Sequence, residues 1–360
     1  MAATINLGWA VQCSVKVSQP SEPIFRVLPR QVGQTLAAAL REWLPGQTWN
    51  AVRKLILSRR VMLSGNVCVD PARRLKLQDV VKILAHPAAP PPQPHDVRIR
   101  YLDAHVVVVE KPAGITTTRH KEERDWPARR KQLQPTLDEM LPAILARRSG
   151  RRTAKGRPPR VRAVHRLDRE TSGLLVFART ARAEQELTRQ FRSHSTHRRY
   201  LAVVHGHIEA RTLESYLVRD RGDGRRGSTQ QPGVGKRAVT HVRPLEFLGP
   251  YTLVECQLET GRTHQIRIHL AEAGHPLCGE KVYNKPLYGS PMPDQSGAPR
   301  IALHAAELGF QHPITGEAMH FEMPLPSDLA DFVARLRRQA QWEAANQPSG
   351  KRRDSGHGKK

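Results

Sequence analysis

The spacing of hydrophobic positions changes along the chain, and the change lays out the elements. Apolar residues recur at helical spacing over Thr35–Leu44, ended by Pro45 and Gly46, and again from Asn50, a cap candidate, to Leu57. Val61–Leu63 and Val67–Val69 flank a Ser-Gly-Asn turn, and Val80–Leu84 adds a short strand. Beyond a proline run the pattern becomes strand-like. Val97–Leu102 alternates, Val106–Val109 is wholly apolar, and Leu174–Ala178 is a second apolar run. Ala181–Phe191 is an amphipathic helix. Strands follow over Arg199–His205, Leu213–Val218, Ala238–Leu248 and Tyr251–Leu258. A helix is entered after Thr260 and ended by Gly274-His275-Pro276. Ile301–Leu308 and Met319–Met323 complete the strands, and Ser327–Trp342 is a last helix. Many strands with few helices between them predict an α+β protein with a mixed, largely antiparallel main sheet.

Pro87, Pro90, Pro91, Pro92 and Pro94 cannot pack as helix or strand and form a semi-rigid spacer. They divide the chain into a small N-terminal α/β domain over 25–84, a linker over 85–95 and a larger domain over 96–342. The tail over 343–360 is basic and expected to be disordered. An insertion over 119–160 holds thirteen Lys and Arg against five Asp and Glu. It reads as a flexible arm for a polyanion, or as a solvated loop, with a helix near Pro135–Arg148. Arg219–Gly235, with five glycines, reads as a mobile basic loop.

Charge narrows the partners. Lys and Arg number 58 against 33 acidic residues, a formal net charge of +25. Such an excess makes nucleic acid the first expected partner and an anionic membrane surface the second. No stretch reaches the length of a membrane span, and residues 1–23 lack the order of a signal peptide. The four cysteines are widely spaced, as in a reduced cytoplasmic protein without disulfides or zinc. His264 and His269 are not on one helix face, and no carboxylate stands at ligand spacing, so no metal is expected. A phosphate loop and a hydrolase elbow are both absent.

The chain is organised around Val164–Ala178. Asp168 lies between Arg166 and Arg169 on a loop that feeds the Leu174–Ala178 run. A carboxylate among cations stays ionised, which suits a nucleophile or base and equally a surface ion pair. His165-Arg166-Leu167-Asp168 with Thr171-Ser172-Gly173 resembles the central motif of the RluA-type pseudouridine synthases. Lys111-Pro112-Ala113-Gly114, Arg199-Tyr200-Leu201-Ala202, Gly261–Leu270 and Leu303-His304-Ala305 are similar to that family's other motifs, in order, over Val97–Pro326. Thr116-Thr117-Thr118 stands where the family often has His-Pro. The N-terminal helix, basic helix and hairpin resemble the alpha-L, S-four-like RNA-binding module. There Arg53, Lys54, Arg59 and Arg60 would face RNA, although Val32–Thr35 departs from the module's usual opening.

The resemblance implies an RNA uridine-to-pseudouridine isomerase, and the accessory module favours ribosomal RNA of the large subunit over transfer RNA as its target; a monomer is expected. The reaction moves the ribose C1′ from base N1 to C5 and needs no cofactor or metal. A carboxylate beside the sugar can attack or stabilise an electron-poor C1′ or take a neighbouring proton; the resemblance gives this role to Asp168, and to Arg267 that of its cationic partner. Flipping the base costs a few kcal/mol. Stacking on an aromatic ring, assigned to Tyr200, returns roughly 1–3 kcal/mol. Arg166 would fill the vacated space and Leu303 would pack on the base's other face. Taken alone, Tyr200 and Leu303 read as core residues and Arg267 as a solvated charge. The rival reading is a non-catalytic RNA-binding or ribosome-assembly factor.

Overall fold

The computed structural model describes residues 23–64, 66–88, 90–120, 123–148, 160–222, 225–287 and 289–346. Cys13, the middle of the insertion and the tail after Asn346 lie outside the described residues. The chain divides into two compact units between residues 88 and 89, within the proline-rich stretch.

The first unit contains β1 (Ile24–Arg26), α1 (Leu36–Trp43), α2 (Trp49–Leu57), β2 (Val61–Leu63), β3 (Asn66–Val67) and β4 (Val80–Ile83). Its sheet runs in the order β1-β4-β2-β3. Thr35 Oγ1 caps α1 by accepting the Ala38 N–H at 3.2 Å. The cap of α2 is Thr48, not Asn50: its Oγ1 accepts from Ala51 N–H at 3.1 Å, and the helix starts a residue before Asn50. Leu36, Leu40, Val52, Ile56 and Val81 fill the small core.

The second unit opens with β5 (Arg98–Leu102) and β6 (Val106–Lys111). The insertion carries α3 (Ala128–Leu133) and α4 (Leu137–Arg148), and β7 (Arg162–Ala163), β8 (Ser172–Ala178) and α5 (Ala181–Arg192) follow it. Next come β9 (His197–His205), β10 (Arg211–Val218), β11 (Gly227–Thr229), β12 (Lys236–Leu248) and β13 (Tyr251–Leu258). The unit ends with α6 (Gln265–Glu272), β14 (Leu303–Gln311), β15 (Ala318–Glu322) and α7 (Ser327–Asn346). One sheet of eleven strands runs β11-β10-β12-β13-β9-β14-β8-β6-β5, with β15 on β14 and β7 on β8. It is mixed and largely antiparallel, as the pattern predicted. The parallel pair is β8 with β14, where His304 faces Ser172 and Ala305 faces Gly173.

Both apolar runs, β6 and β8, are covered on two faces. Val107, Val109, Leu175 and Phe177 face one core, while Val106, Val108, Leu174 and Val176 face another that α5 covers with Ala183 and Leu187. The first core is closed by Leu137, Met140, Leu141 and Leu145 of α4. The insertion is therefore not simply an arm or a solvated loop. Its acidic and basic ends are polar, but α4 covers the face of the sheet beneath Leu167. The glycine-rich stretch after β10 likewise contains β11, paired antiparallel with β10 from Tyr216 to Val218.

Candidate active site

Asp168 stands on the loop between β7 and β8, and that loop is fastened from both sides. On one side, Thr117 Oγ1 accepts from Leu167 N–H at 3.1 Å and donates to the Leu167 carbonyl at 2.9 Å. Gly114 N–H donates to the Arg169 carbonyl at 2.8 Å, and Arg169 Nε returns a bond to the Gly114 carbonyl. Lys111 is fully buried and donates to the carbonyls of Pro112, Ile115 and Arg169 at 2.8–3.1 Å. Burial pushes its ammonium down to about 7, against the pull of Glu170 and Asp168.

On the other side, Arg300 Nη1 donates to the Glu170 carbonyl and Nη2 to Ser172 Oγ at 2.9 Å. His304 Nε2 faces the Met323 carbonyl, so Nδ1 is free to accept from Ser172 Oγ at 2.9 Å. Gly173 lies against β14 so closely that a Cβ would come 2.3 Å from the Ala305 carbonyl oxygen, and its φ is +128°. Glycine is required there. His165 anchors the start of the loop: it stacks on Phe191 at 4.2 Å and accepts from Val176 N–H at 3.0 Å.

The carboxylate meets α6. Arg267 Nη1 is 3.5 Å from Asp168 Oδ2. The same guanidinium makes a two-pronged pair with Glu280, at 2.7 Å from Nε and 2.8 Å from Nη2. Arg267 is buried, not a solvated charge, and Glu280 is 3% exposed. Burial alone would raise the Glu280 carboxyl, but Arg267 and nearby N–H groups hold it below its usual range. Burial also opposes the charge of the arginine, which is maintained by Glu280 first and Asp168 second. Both short bonds of the guanidinium therefore go to Glu280, and Asp168 meets it only at 3.5 Å. Glu280 holds the arginine rigidly, and Asp168 stays outside a tight ion pair.

Arg267 also lies over the Tyr283 ring, 5.0 Å from its centroid. Tyr283 Oη is 2.7 Å from His264 Nδ1, and His264 Nε2 is 3.7 Å from Asp168 Oδ1. Gln265 locks the turn before α6: it accepts from Arg262 N–H and Thr260 Oγ1 and donates to β12 at Val239 and Thr240. His269 faces Ser215 and Thr240, and His275 faces the His205 carbonyl, so the three histidines of this region face different partners.

Tyr200, on β9, packs in the same core as Leu167, Ile266 and Leu303. Burial pushes its phenol up to about 12; Arg198 opposes this and the Asp168 charge adds to it. Leu303 is buried at the start of β14, and Arg166 is exposed two residues before Asp168. Arg166 borders a cavity of about 690 Å³, lined also by Arg119, Arg124, Lys131 and Arg162 with Asp138, Glu139 and Glu184. In the first unit Arg53 and Lys54 are exposed. Arg59 and Arg60 are half-buried, and their Nε atoms donate to the carbonyls of Ala88 and Leu84.

Sequence reasoning did not assign Glu280, Tyr283 or His264 to the site. Glu280 and Tyr283 lie in a stretch with no periodicity, and His264 was weighed only as a metal ligand. The available signal was negative: an arginine on a helix buried all round needs an acidic partner.

Residues 105–272 match the family model described as RNA pseudouridylate synthase. The chain is 35% identical over 316 residues to a Zymomonas mobilis protein named ribosomal large subunit pseudouridine synthase D, covering 86% of this chain and 96% of that one. It is 41% identical over 249 residues to the uncharacterized RNA pseudouridine synthase YlyB of Bacillus subtilis, covering 68% and 75%. A solved structure of human RNA pseudouridylate synthase domain containing 4 superposes with a TM-score of 0.52 at 23% identity, over 66% of this chain and 92% of that chain, and shares the fold. With the motif order along the chain and Asp168 on the β7–β8 loop 3.5 Å from Arg267 of α6, these likenesses lead to one conclusion: the chain belongs to the RNA pseudouridylate synthase family.

Proposed function

We propose that this isomerase converts uridines of large-subunit ribosomal RNA to pseudouridine, with Asp168 acting at the ribose. The observation that carries the reading is the arrangement of Asp168 and Arg267 with Glu280. The carboxylate has a cation 3.5 Å away but is not consumed by it, because the arginine's shortest bonds go to Glu280. An ionised oxygen of this kind can attack or stabilise an electron-poor C1′ when the bond to N1 breaks.

Tyr200 supplies the ring under the flipped base. Its hydroxyl makes no hydrogen bond to any described residue, so it is free for the nucleotide. With the phenol pushed up to about 12, its neutral form is the working one near neutral pH. Tyr200 then donates a hydrogen bond, or accepts the C5 proton only while releasing its own. Leu303 lies in the core beside it, and Arg166 takes the place the base leaves. The net change is balanced within the nucleoside: N1–C1′ and C5–H break, and C5–C1′ and N1–H form.

The basic cavity beside Arg166 suits the phosphates flanking the target. The first unit, with exposed Arg53 and Lys54 on α2, is read as an S-four-like RNA-binding module, with Arg59 and Arg60 shared between RNA and its own backbone. The large-subunit target rests on the names of the relatives. The test is to add the protein to unmodified large-subunit and transfer RNA and map pseudouridine by carbodiimide-dependent primer extension. New stops confined to the large-subunit RNA support the reading, and stops confined to transfer RNA would redirect it.

A further inference from the structure

His264 has a backbone that side chains rarely adopt. It is the N-cap of α6 with φ 60° and ψ 20°, in the left-handed region, and its side chain makes no capping bond. A left-handed conformation costs a residue with a Cβ about 1–2 kcal/mol, and strain of this kind collects at functional sites. The turn directs the imidazole between Asp168 and Tyr283. Nδ1 is 2.7 Å from Tyr283 Oη, and Nε2 is 3.7 Å from Asp168 Oδ1.

The charges around the ring select its tautomer. It faces Asp168, Arg267, Glu280 and Arg226, and burial holds it neutral, pushed down to about 4. A lone pair on Nε2 would point at a carboxylate. A proton on Nε2 points the N–H there instead, and Nδ1 then accepts the Tyr283 hydroxyl. Tyr283 is held in turn by Arg267 over its ring. The 3.7 Å separation is longer than a hydrogen bond, and catalytic contacts commonly shorten when substrate enters.

We propose that His264 is a positioning residue for Asp168: its Nε2–H, fixed by Tyr283, orients Oδ1 while Arg267 orients Oδ2. This rests on the reading of Asp168 as the reacting carboxylate. The carboxylate is then steered from both oxygens, by one cation and one neutral donor. It loses its freedom to rotate.

Side-chain chemistry and backbone need can be separated. Glutamine places an N–H near the position of His Nε2, whereas asparagine reproduces only Nδ1. Asparagine, however, tolerates the left-handed backbone best. His264→Gln, His264→Asn and Tyr283→Phe are compared in the full chain by single-turnover pseudouridine formation, with thermal midpoint as the folding control. His264→Asn is expected to lower the rate roughly 30-fold with the half-saturating RNA concentration within about threefold, and His264→Gln to recover most of it. Tyr283→Phe keeps the ring under Arg267 and loses the tautomer lock, for a loss of roughly fivefold. Asparagine matching or exceeding glutamine would overturn the proposal, since the backbone alone would then explain the residue. So would unchanged rates in both His264 variants. Asp168→Asn is run alongside: if it stays active, the reading of Asp168 fails, whereas if it is dead and the His264 variants are normal, only the positioning role fails.

Discussion

Arg267 gives its two shortest hydrogen bonds, 2.7 and 2.8 Å, to Glu280 and holds Asp168 only at 3.5 Å. The Asp168 carboxylate is thus beside a cation whose charge is already shared. With the short bonds of the guanidinium taken by Glu280, the Asp168 oxygens are left available to a ligand.

Removing one partner of that buried pair should be costly in two ways. Glu280→Ala is expected to lose about 3–5 kcal/mol of stability, because the guanidinium is left buried without its counter-ion. Its turnover should fall at least tenfold as Arg267 closes on Asp168. Arg267→Ala should lower turnover by about tenfold or more, roughly 1.4 kcal/mol in the barrier. An Arg267→Leu, Glu280→Leu double variant should regain much of the stability and none of the turnover. Urea midpoints and single-turnover rates check this, and additive losses in stability would contradict the coupling.

Gly173→Ala tests the close approach of β8 to β14. The new methyl would lie 2.3 Å from the Ala305 carbonyl oxygen and 2.6 Å from Ala305 Cβ, at a φ that alanine avoids. The expected result is a loss of about 3 kcal/mol or more in urea unfolding, or an insoluble chain. A soluble variant of unchanged midpoint would mean that the two strands are not in this register.

Acid should weaken the protein through its buried histidines. Burial pushes His165 down to about 3 and His269 and His304 to about 4. Unfolded histidines titrate near about 6.5, so below that pH the unfolded chain takes up protons that the native chain refuses. The stabilising contribution is full above about pH 6.5 and is lost as pH falls, on the order of 1–2 kcal/mol per histidine by about pH 5. The thermal midpoint should therefore drop between about pH 7.5 and pH 5, and less steeply in His269→Gln. A flat profile would contradict the burial of these rings as neutral groups.

The parts of this architecture with strong periodicity were legible in the sequence. Val106–Val109 and Leu174–Ala178 read as buried strands because every position faces a core, and Ala181–Phe191 as a helix because one stripe does. Arg267 lies 3.5 Å from Asp168, a proximity that the family resemblance implied and that no periodicity of the chain signals. What was not legible depends on distant partners. Gly173 read as part of a turn, but it is a strand glycine paired with Lys111 of β6 on one side and Ala305 of β14 on the other. The insertion read as basic because its charges outnumber its four buried anchors on α4, which show their purpose only once the sheet is beneath them. Thr117 looked like a departure from the family pattern, yet its hydroxyl clamps Leu167 through both backbone groups. Glu280 carried no local signal, since its role is set by an arginine thirteen residues earlier across a turn.

On the proposed reading, one carboxylate does the chemistry while the rest of the chain places RNA around it. The most direct measurement is Asp168→Asn in the full chain, assayed for pseudouridine in large-subunit ribosomal RNA and for RNA affinity in the same buffer. The amide keeps the shape and removes the charge. The account predicts no detectable product with affinity within about threefold of the parent, since phosphate contacts supply most of the binding. Product formed at the parental rate by the Asp168→Asn variant would contradict it.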